Sequence, residues 1–264
     1  LVAEHNYKVS YPNGQKTITP QLDYPFGEAP LQLDPQGRPI THAAISLNGK
    51  TLIVAGSTEG ELQALRIAAT ENLLTGDTSL EQQRLQLPQL SEPIKALRID
   101  PRHMWLFAVS GGASVDVFDL RRKQLNGRYK LLSGKGEITT VSWLLGGISL
   151  MVGDSSGGIG QWFMVRGADG QAELKNVRNF QLGDQPIRQI IPEERRKGFL
   201  ALDASGKLGV FHSTAHRTLL TQQVAEGAAV AAMSLRATRL LVESGNQLQR
   251  FVIDNPHPEI SWSA

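Results

Sequence analysis

The chain of 264 residues carries 27 Lys plus Arg against 25 Asp plus Glu, a formal charge of +2, so no strong field points to nucleic acid or an anionic lipid surface. Its 41% apolar and 20% charged residues describe a folded globular chain rather than a disordered one. Cysteine is absent, which excludes a disulfide scaffold, thiolate metal sites and a cysteine nucleophile, and the longest apolar runs, such as residues 105–109, fall far short of the roughly twenty residues that a bilayer-spanning helix needs.

Near the start, Asn13-Gly14 lies between runs at 7–11 and 16–19 and predicts a hairpin. From Ile40 onward a unit of three short strand-like runs recurs. The first run begins at Ile40, Ile94, Ile138, Ile187 and Val230, and the third at Leu62, Val115, Ile159, Leu208 and Leu248. The offsets are 22, 21, 21, 21 and 18 residues, and successive units are 54, 44, 49 and 43 residues apart. First runs alternate apolar and polar, as in Ile94-Lys95-Ala96-Leu97, which predicts strands with one face on a core. Second runs are apolar throughout (residues 52–55, 105–109, 148–152, 199–202 and 240–242) and read as strands buried on both faces, although periodicity alone leaves a buried helix open. Third runs hold an aromatic residue or Leu at a fixed register: Leu65, Phe118, Trp162, Phe211 and Phe251. Turn formers separate the second and third runs in every copy, at 57–60, 110–112, 154–158, 203–206 and 244–246.

A fourth strand follows at 124–132, 174–182 and 219–224. The stretch 68–87 is ambiguous, because Thr78 and Glu81 could make a helix-capping box; the expectation is an edge strand with a long loop. Four antiparallel strands repeating every forty to fifty residues predict an all-β fold, a β-propeller with five clear repeats and about six blades. Residues 1–39 are expected to complete or close a blade, 40–253 to form the repeats, and 254–264 to be a Pro-rich exit segment. The start at Leu1 and the stop after Pro256 and Pro258 read as the ends of a mature secreted protein or of a piece of a longer chain.

The units resemble diverged WD40 blades. Phe118-Asp119-Leu120 stands where that family carries Trp-Asp, whereas the other copies have Leu65-Arg66, Trp162-Phe163, Phe211-His212 and Phe251-Val252, and no Gly-His pair precedes the first strand. The family's His–Asp hydrogen-bond network is therefore mostly missing. The stretch Ile253-Asp254-Asn255-Pro256-His257-Pro258-Glu259-Ile260-Ser261-Trp262-Ser263-Ala264 resembles the point where the extracytoplasmic domain of certain bacterial phosphate ABC transporter permeases (PstC type) returns to the membrane. That subgroup carries a WD40-like insertion after its first transmembrane helix. The resemblance implies a periplasmic domain of an inner-membrane protein, with a phosphate-binding protein and other transporter subunits as partners. It also makes Pro256, Pro258 and Trp262 membrane-proximal, with no membrane insertion by this piece itself; a packed tail is the other reading of Trp262.

Candidate active sites are weak. Gly153-Asp154-Ser155-Ser156-Gly157-Gly158 is similar to a trypsin-like nucleophile motif, and Thr41-His42 faintly to its His segment, but the repeat register puts both serines in a hairpin turn. The same glycines, with 110–112 and 134–136, could cradle an anion on backbone amides, although no P-loop ending in Lys-Ser or Lys-Thr is present. The six His are scattered, and His212 and His216 straddle a strand end. The first strands begin with Thr41-His42, Lys95, Thr139, Arg188 and Ala231, a poor set for a divalent cation. No catalytic residue, metal or cofactor is expected, and no nucleic-acid partner. The expected function is a non-enzymatic interaction or regulatory platform in phosphate uptake, with Arg121, Arg122, Arg195, Arg196 and Lys197 as the interaction surface. Two alternatives stay open: a propeller enzyme of lactonase or hydrolase type, and a free-standing WD40-like scaffold.

Overall fold

The computed structural model describes residues 4–23, 32–46, 51–57, 59–76, 78–100, 102, 104–110, 112–132, 136–234, 237–253, 255 and 257–263. Among them there is no α-helix, and the strands form one hairpin and five four-stranded sheets in which sequence neighbours pair. Among the described residues no helix is long and apolar enough to cross a membrane. By internal contacts the chain divides into two units, Leu1–Leu97 and Arg98–Ala264.

In the first unit, β1 (Glu4–Ser10) and β2 (Thr17–Asp23) pair as a two-stranded sheet, with Tyr7 opposite Pro20 and Val9 opposite Ile18. The turn between them holds Asn13 and Gly14 at φ of 53° and 78°, which is the Asn-Gly chemistry the sequence predicts. The first sheet follows: β3 (His42–Ser46), β4 (Thr51–Gly56), β5 (Leu62–Glu71) and β6 (Thr78–Gln86). Thr78 and Glu81 lie on β6 opposite Glu71 and Ala68, so no capping box forms. Pairing along all of β6 satisfies its backbone and overrides its helical composition. Only six residues separate β5 from β6, in place of the expected long loop. Ahead of this sheet, Asp34 accepts from Gln36 N (2.8 Å) and Arg38 Nε (2.7 Å), and Arg38 also reaches Glu61.

The other four sheets are β7 (Ile94–Ile99) to β10, β11 to β14, β15 to β18 and β19 to β22. In the second, β8 is Trp105–Ser110, β9 Ser114–Asp119 and β10 Gln124–Lys130. In the third, β11 is Ile138–Trp143, β12 Ser149–Asp154, β13 Gly158–Arg166 and β14 Ala172–Gln181. The fourth holds β15 (Ile187–Pro192), β16 (Gly198–Asp203), β17 (Lys207–His212) and β18 (Arg217–Gln223). The fifth holds β19 (Ala229–Met233), β20 (Arg239–Ser244), β21 (Gln247–Val252) and β22 (Pro258–Ser263). The predicted starts Ile94, Ile138 and Ile187 open β7, β11 and β15.

A single sheet of this kind cannot shield both faces, and stacking solves the problem. Met151, Ile159, Phe180, Ile187, Phe199 and Phe211 form one core between the third and fourth sheets. Leu200, Leu208, Val230, Leu240, Val242 and Phe251 form the next, between the fourth and fifth. First strands of neighbouring sheets lie together, β11 on β15 and β15 on β19. Thr139 Oγ1 donates to Ile187 O (2.6 Å), and Gln189 exchanges two bonds with the Val230 backbone. Arg98 Nη2 reaches Val141 O (3.2 Å), and burial lowers this guanidinium's pKa. These are propeller blades.

One expectation of burial needs correcting. The second strands β8, β12 and β16 are almost wholly buried, but on β20 Leu241 is only half-buried, because Leu240 and Val242 alone point into the core shared with the fourth sheet. At the fixed register, Phe118, Phe211, Phe251 and Leu65 are buried while Trp162 is not. Its indole lies over Gly160, where a Cβ would sit 2.6 Å from Nε1. Within the expected exit segment, residues 258–263 are β22, the fourth strand of the fifth sheet, with Trp262 opposite Leu248. Backbone pairing with β21 holds the segment in the sheet. Pro256 lies outside the described residues.

Three of the turns between second and third strands share one device. Ser57 Oγ accepts from Glu59 N and Glu61 N, Asp154 Oδ1 from Ser156 N and Gly158 N, and Asp203 Oδ1 from Ser205 N and Lys207 N. Three residues after each acceptor stands Gly60, Gly157 or Gly206, with φ of 81°, 80° and 83°. A Cβ there would lie 2.3–2.4 Å from the carbonyl oxygen of Leu90, Gly183 or Ala225. Glycine is needed for both conformation and space.

Candidate functional site

Because each sheet runs up and down in sequence order, the loops after its first and third strands emerge at one end. In the second unit that end gathers the β7–β8, β11–β12 and β15–β16 loops and the β9–β10 and β13–β14 turns. The basic residues singled out from the sequence are there: Arg121 and Arg122 in the β9–β10 turn, and Arg195, Arg196 and Lys197 in the β15–β16 loop. They belong to different sheets, and three of them are engaged. Arg196 Nε meets Glu193 Oε1 at 2.6 Å, Lys197 Nζ donates to Leu145 O (2.9 Å), and Arg122 lies 3.8 Å from Asp119. Arg122 also borders an acidic hollow with Asp169, Glu173 and Tyr129. Burial pushes the Tyr129 phenol upward, an N–H from Leu174 opposes this, and Glu173 adds to the rise. Arg121 and Arg195 are exposed and form no ion pair among the described residues.

Between the second and third sheets, at this same end, lies a cleft of about 280 Å³. Its floor is apolar and aromatic: Met104 and Trp105 at the start of β8, Phe107 and Trp143 packed edge to face at 5.1 Å, and Ile148 and Met164. Trp105 and Trp143 sit here because each ends a strand at the loop side, so part of each ring stays uncovered. Among the described residues the buried Trp143 indole N–H has no hydrogen-bond partner. Asp100 also lines the cleft, but its carboxylate is spent on its own loop, accepting from Arg102 N (3.2 Å), Met104 N (2.7 Å) and Trp105 N (2.7 Å). Arg102 and Arg166 stand exposed on the rim and pair with no acid among the described residues. The sequence reading missed both, because each is a lone cation outside a basic run. The nearest signal was the placing of Trp105 and Trp143 at run ends beside loops.

The other sequence candidates resolve into structural roles. Ser156 Oγ donates to Asp154 Oδ1 (2.7 Å), so the serine is a turn residue. The amides of Ser156 and Gly158, which an anion would need, are taken by the same carboxylate. Gly111, Gly134 and Lys135 lie outside the described residues. His212 Nδ1 accepts from Ala215 N (3.1 Å), whereas His216 packs on Phe180 and bonds Asn179 O, so the two share no ligand. Asp119 caps the β9–β10 turn through Arg121 N and Arg122 N, both at 2.9 Å. Among the described residues no three His, Asp or Glu side chains gather to hold a metal.

No family model matches the chain, and no curated protein does either. Solved structures do. A chain of the structure titled "Crystal Structure of Mitotic Checkpoint Complex" is 13% identical, with a TM-score of 0.58 over 83% of this chain and 64% of that one. Sqt1 from Chaetomium thermophilum is 15% identical, with a TM-score of 0.63 over 98% of this chain and 69% of its own. The fold is a WD40-like β-propeller. Identities this low show the fold alone, and this chain spans less than two thirds of the checkpoint-complex chain. Nothing in these likenesses bears on phosphate, transport or a membrane.

Proposed function

We propose that this propeller is a protein-docking platform that engages its partner at the cleft between the second and third sheets. The observation that carries the reading is the join of uncovered aromatic surface with two unpaired arginines at one loop-bearing end. Interfaces concentrate their energy in aromatic and Arg side chains seated in such hollows. One structural neighbour is a chain of a multiprotein complex, and this accords with a platform. The test is photo-crosslinking in the producing cell, with a benzophenone amino acid at Ile148 on the cleft or at Leu219 on the outer strand β18. The platform reading expects a discrete protein adduct from position 148 and none from 219; no adduct from 148 would remove it.

A second, narrower reading places the propeller in the periplasm beside a phosphate permease, docking the phosphate-binding protein. Only the resemblance of residues 253–264 favours it. Mixing the purified propeller with that binding protein, with and without phosphate, decides: no association at about millimolar concentration ends this reading.

A further inference from the structure

We propose that the cleft between the second and third sheets binds an extended acidic peptide segment, seating one large apolar side chain between Trp105 and Met164 and pairing its carboxylates with Arg102 and Arg166. The inference rests on the platform reading and names the chemistry of the partner. Size comes first. A cleft of about 280 Å³ lies just under the range of small-molecule and cofactor pockets, roughly 300–1,000 Å³, and suits an anchoring side chain with a short run of backbone. Lining comes second: Met104 and Met164 offer polarizable, adaptable surface, and Trp105 a broad face.

Charge selects the flanking residues. The one carboxylate in the cleft, Asp100, is already matched by three backbone N–H groups, so the rim presents Arg102 and Arg166 uncompensated. A guanidinium pairs a carboxylate through two parallel bonds, so the favoured segment carries Asp or Glu on either side of its apolar anchor. Trp143 adds ring surface to the floor, and its buried indole N–H is closed to the peptide. Phosphate-rich ligands would also answer the arginines, but they leave the thioether and indole floor unused.

The test uses the full chain and a fluorescein-labelled hexapeptide, Ser-Asp-Phe-Asp-Leu-Ser, followed by fluorescence anisotropy. Controls carry Asn for both Asp, or Ser for Phe. The acidic peptide is expected to bind about tenfold more tightly than either control, and to weaken as salt rises from about 50 to about 300 mM. Arg102→Gln combined with Arg166→Gln should cost about tenfold. Arg121→Gln with Arg195→Gln should leave the affinity within about twofold, since exposed charges at a distance are screened. Equal binding of the Asn peptide overturns the inference. So does tighter binding of a short oligothymidylate. Loss through the Arg121 and Arg195 pair, with the Arg102 and Arg166 pair silent, also overturns it but leaves a platform that docks elsewhere. Crosslinking at position 148 judges the platform reading separately.

Discussion

Gly157 and Gly245 both close a turn between second and third strands with positive φ, 80° and 56°, yet their surroundings differ. A Cβ on Gly157 would lie 2.3 Å from Gly183 O and 2.7 Å from its carbonyl carbon, whereas one on Gly245 meets no atom of the described residues within 4 Å. Gly245→Ala should therefore cost only the left-handed backbone, about 1 kcal/mol. Gly157→Ala carries that cost, plus about 1–2 kcal/mol for moving packed backbone, and it weakens the Leu182 N to Gly157 O bond of 3.0 Å, worth about 1 kcal/mol. The total is about 3–4 kcal/mol. For a chain of this size each kcal/mol shifts the melting temperature by roughly 2–4 °C, so Gly157→Ala should melt roughly 6–16 °C lower and Gly245→Ala roughly 2–4 °C lower. Differential scanning calorimetry on the two variants reads the contrast. Equal shifts would show that the third-sheet turn is not clamped by the linker after β14, and the shared device would fail as an explanation.

Two further outcomes follow from buried polar groups. Gln161, 1% exposed, donates to Ser149 Oγ (3.0 Å) and accepts from Ser213 Oγ (2.8 Å) across the third and fourth sheets. Ser213→Ala should cost about 1–3 kcal/mol by leaving the amide oxygen unpaired, whereas adding Gln161→Leu and Ser149→Ala should restore most of it; urea denaturation of the two variants compares them. Asp34 is held below its ordinary 3.8 first by the Arg38 side-chain bond and then by Gln36 N. A lowered pKa means stability present above 3.8 and lost as pH falls through the folded-state value. The melting gap between the wild type and Asp34→Asn should hold from about pH 7 to about pH 5 and close below about pH 4; a gap independent of pH would contradict the pairing.

Much of the fold is legible in the residues because strand pairing is local and periodic. The constant offset between Ile94 and Val115, Ile138 and Ile159, or Ile187 and Leu208 is the length of two strands and their connections, fixed by sheet geometry. The turn residues could have yielded more: the spacing Ser57–Gly60, Asp154–Gly157 and Asp203–Gly206 encodes the capped turn and its left-handed glycine. The fate of 258–263 was not legible, since Pro258 suggests a break, yet a fourth strand on an edge loses nothing by lacking an N–H at its first residue. The cleft was legible least. Arg102 and Arg166 are some sixty residues apart in sequence, and only the stacking of two sheets sets them on one rim. Basic runs drew attention instead, although Arg122, Arg196 and Lys197 already have partners.

The docking claim meets its most direct test in the indole region of a ¹H–¹⁵N spectrum, where the four tryptophans give separate N–H signals and Trp143→Phe assigns one of them. Titration with the acidic hexapeptide should move the Trp105 and Trp143 signals, because both residues line the cleft, and leave Trp262 unmoved. A still Trp143 signal, or a shift confined to Trp262, would contradict the claim that partners enter between the second and third sheets.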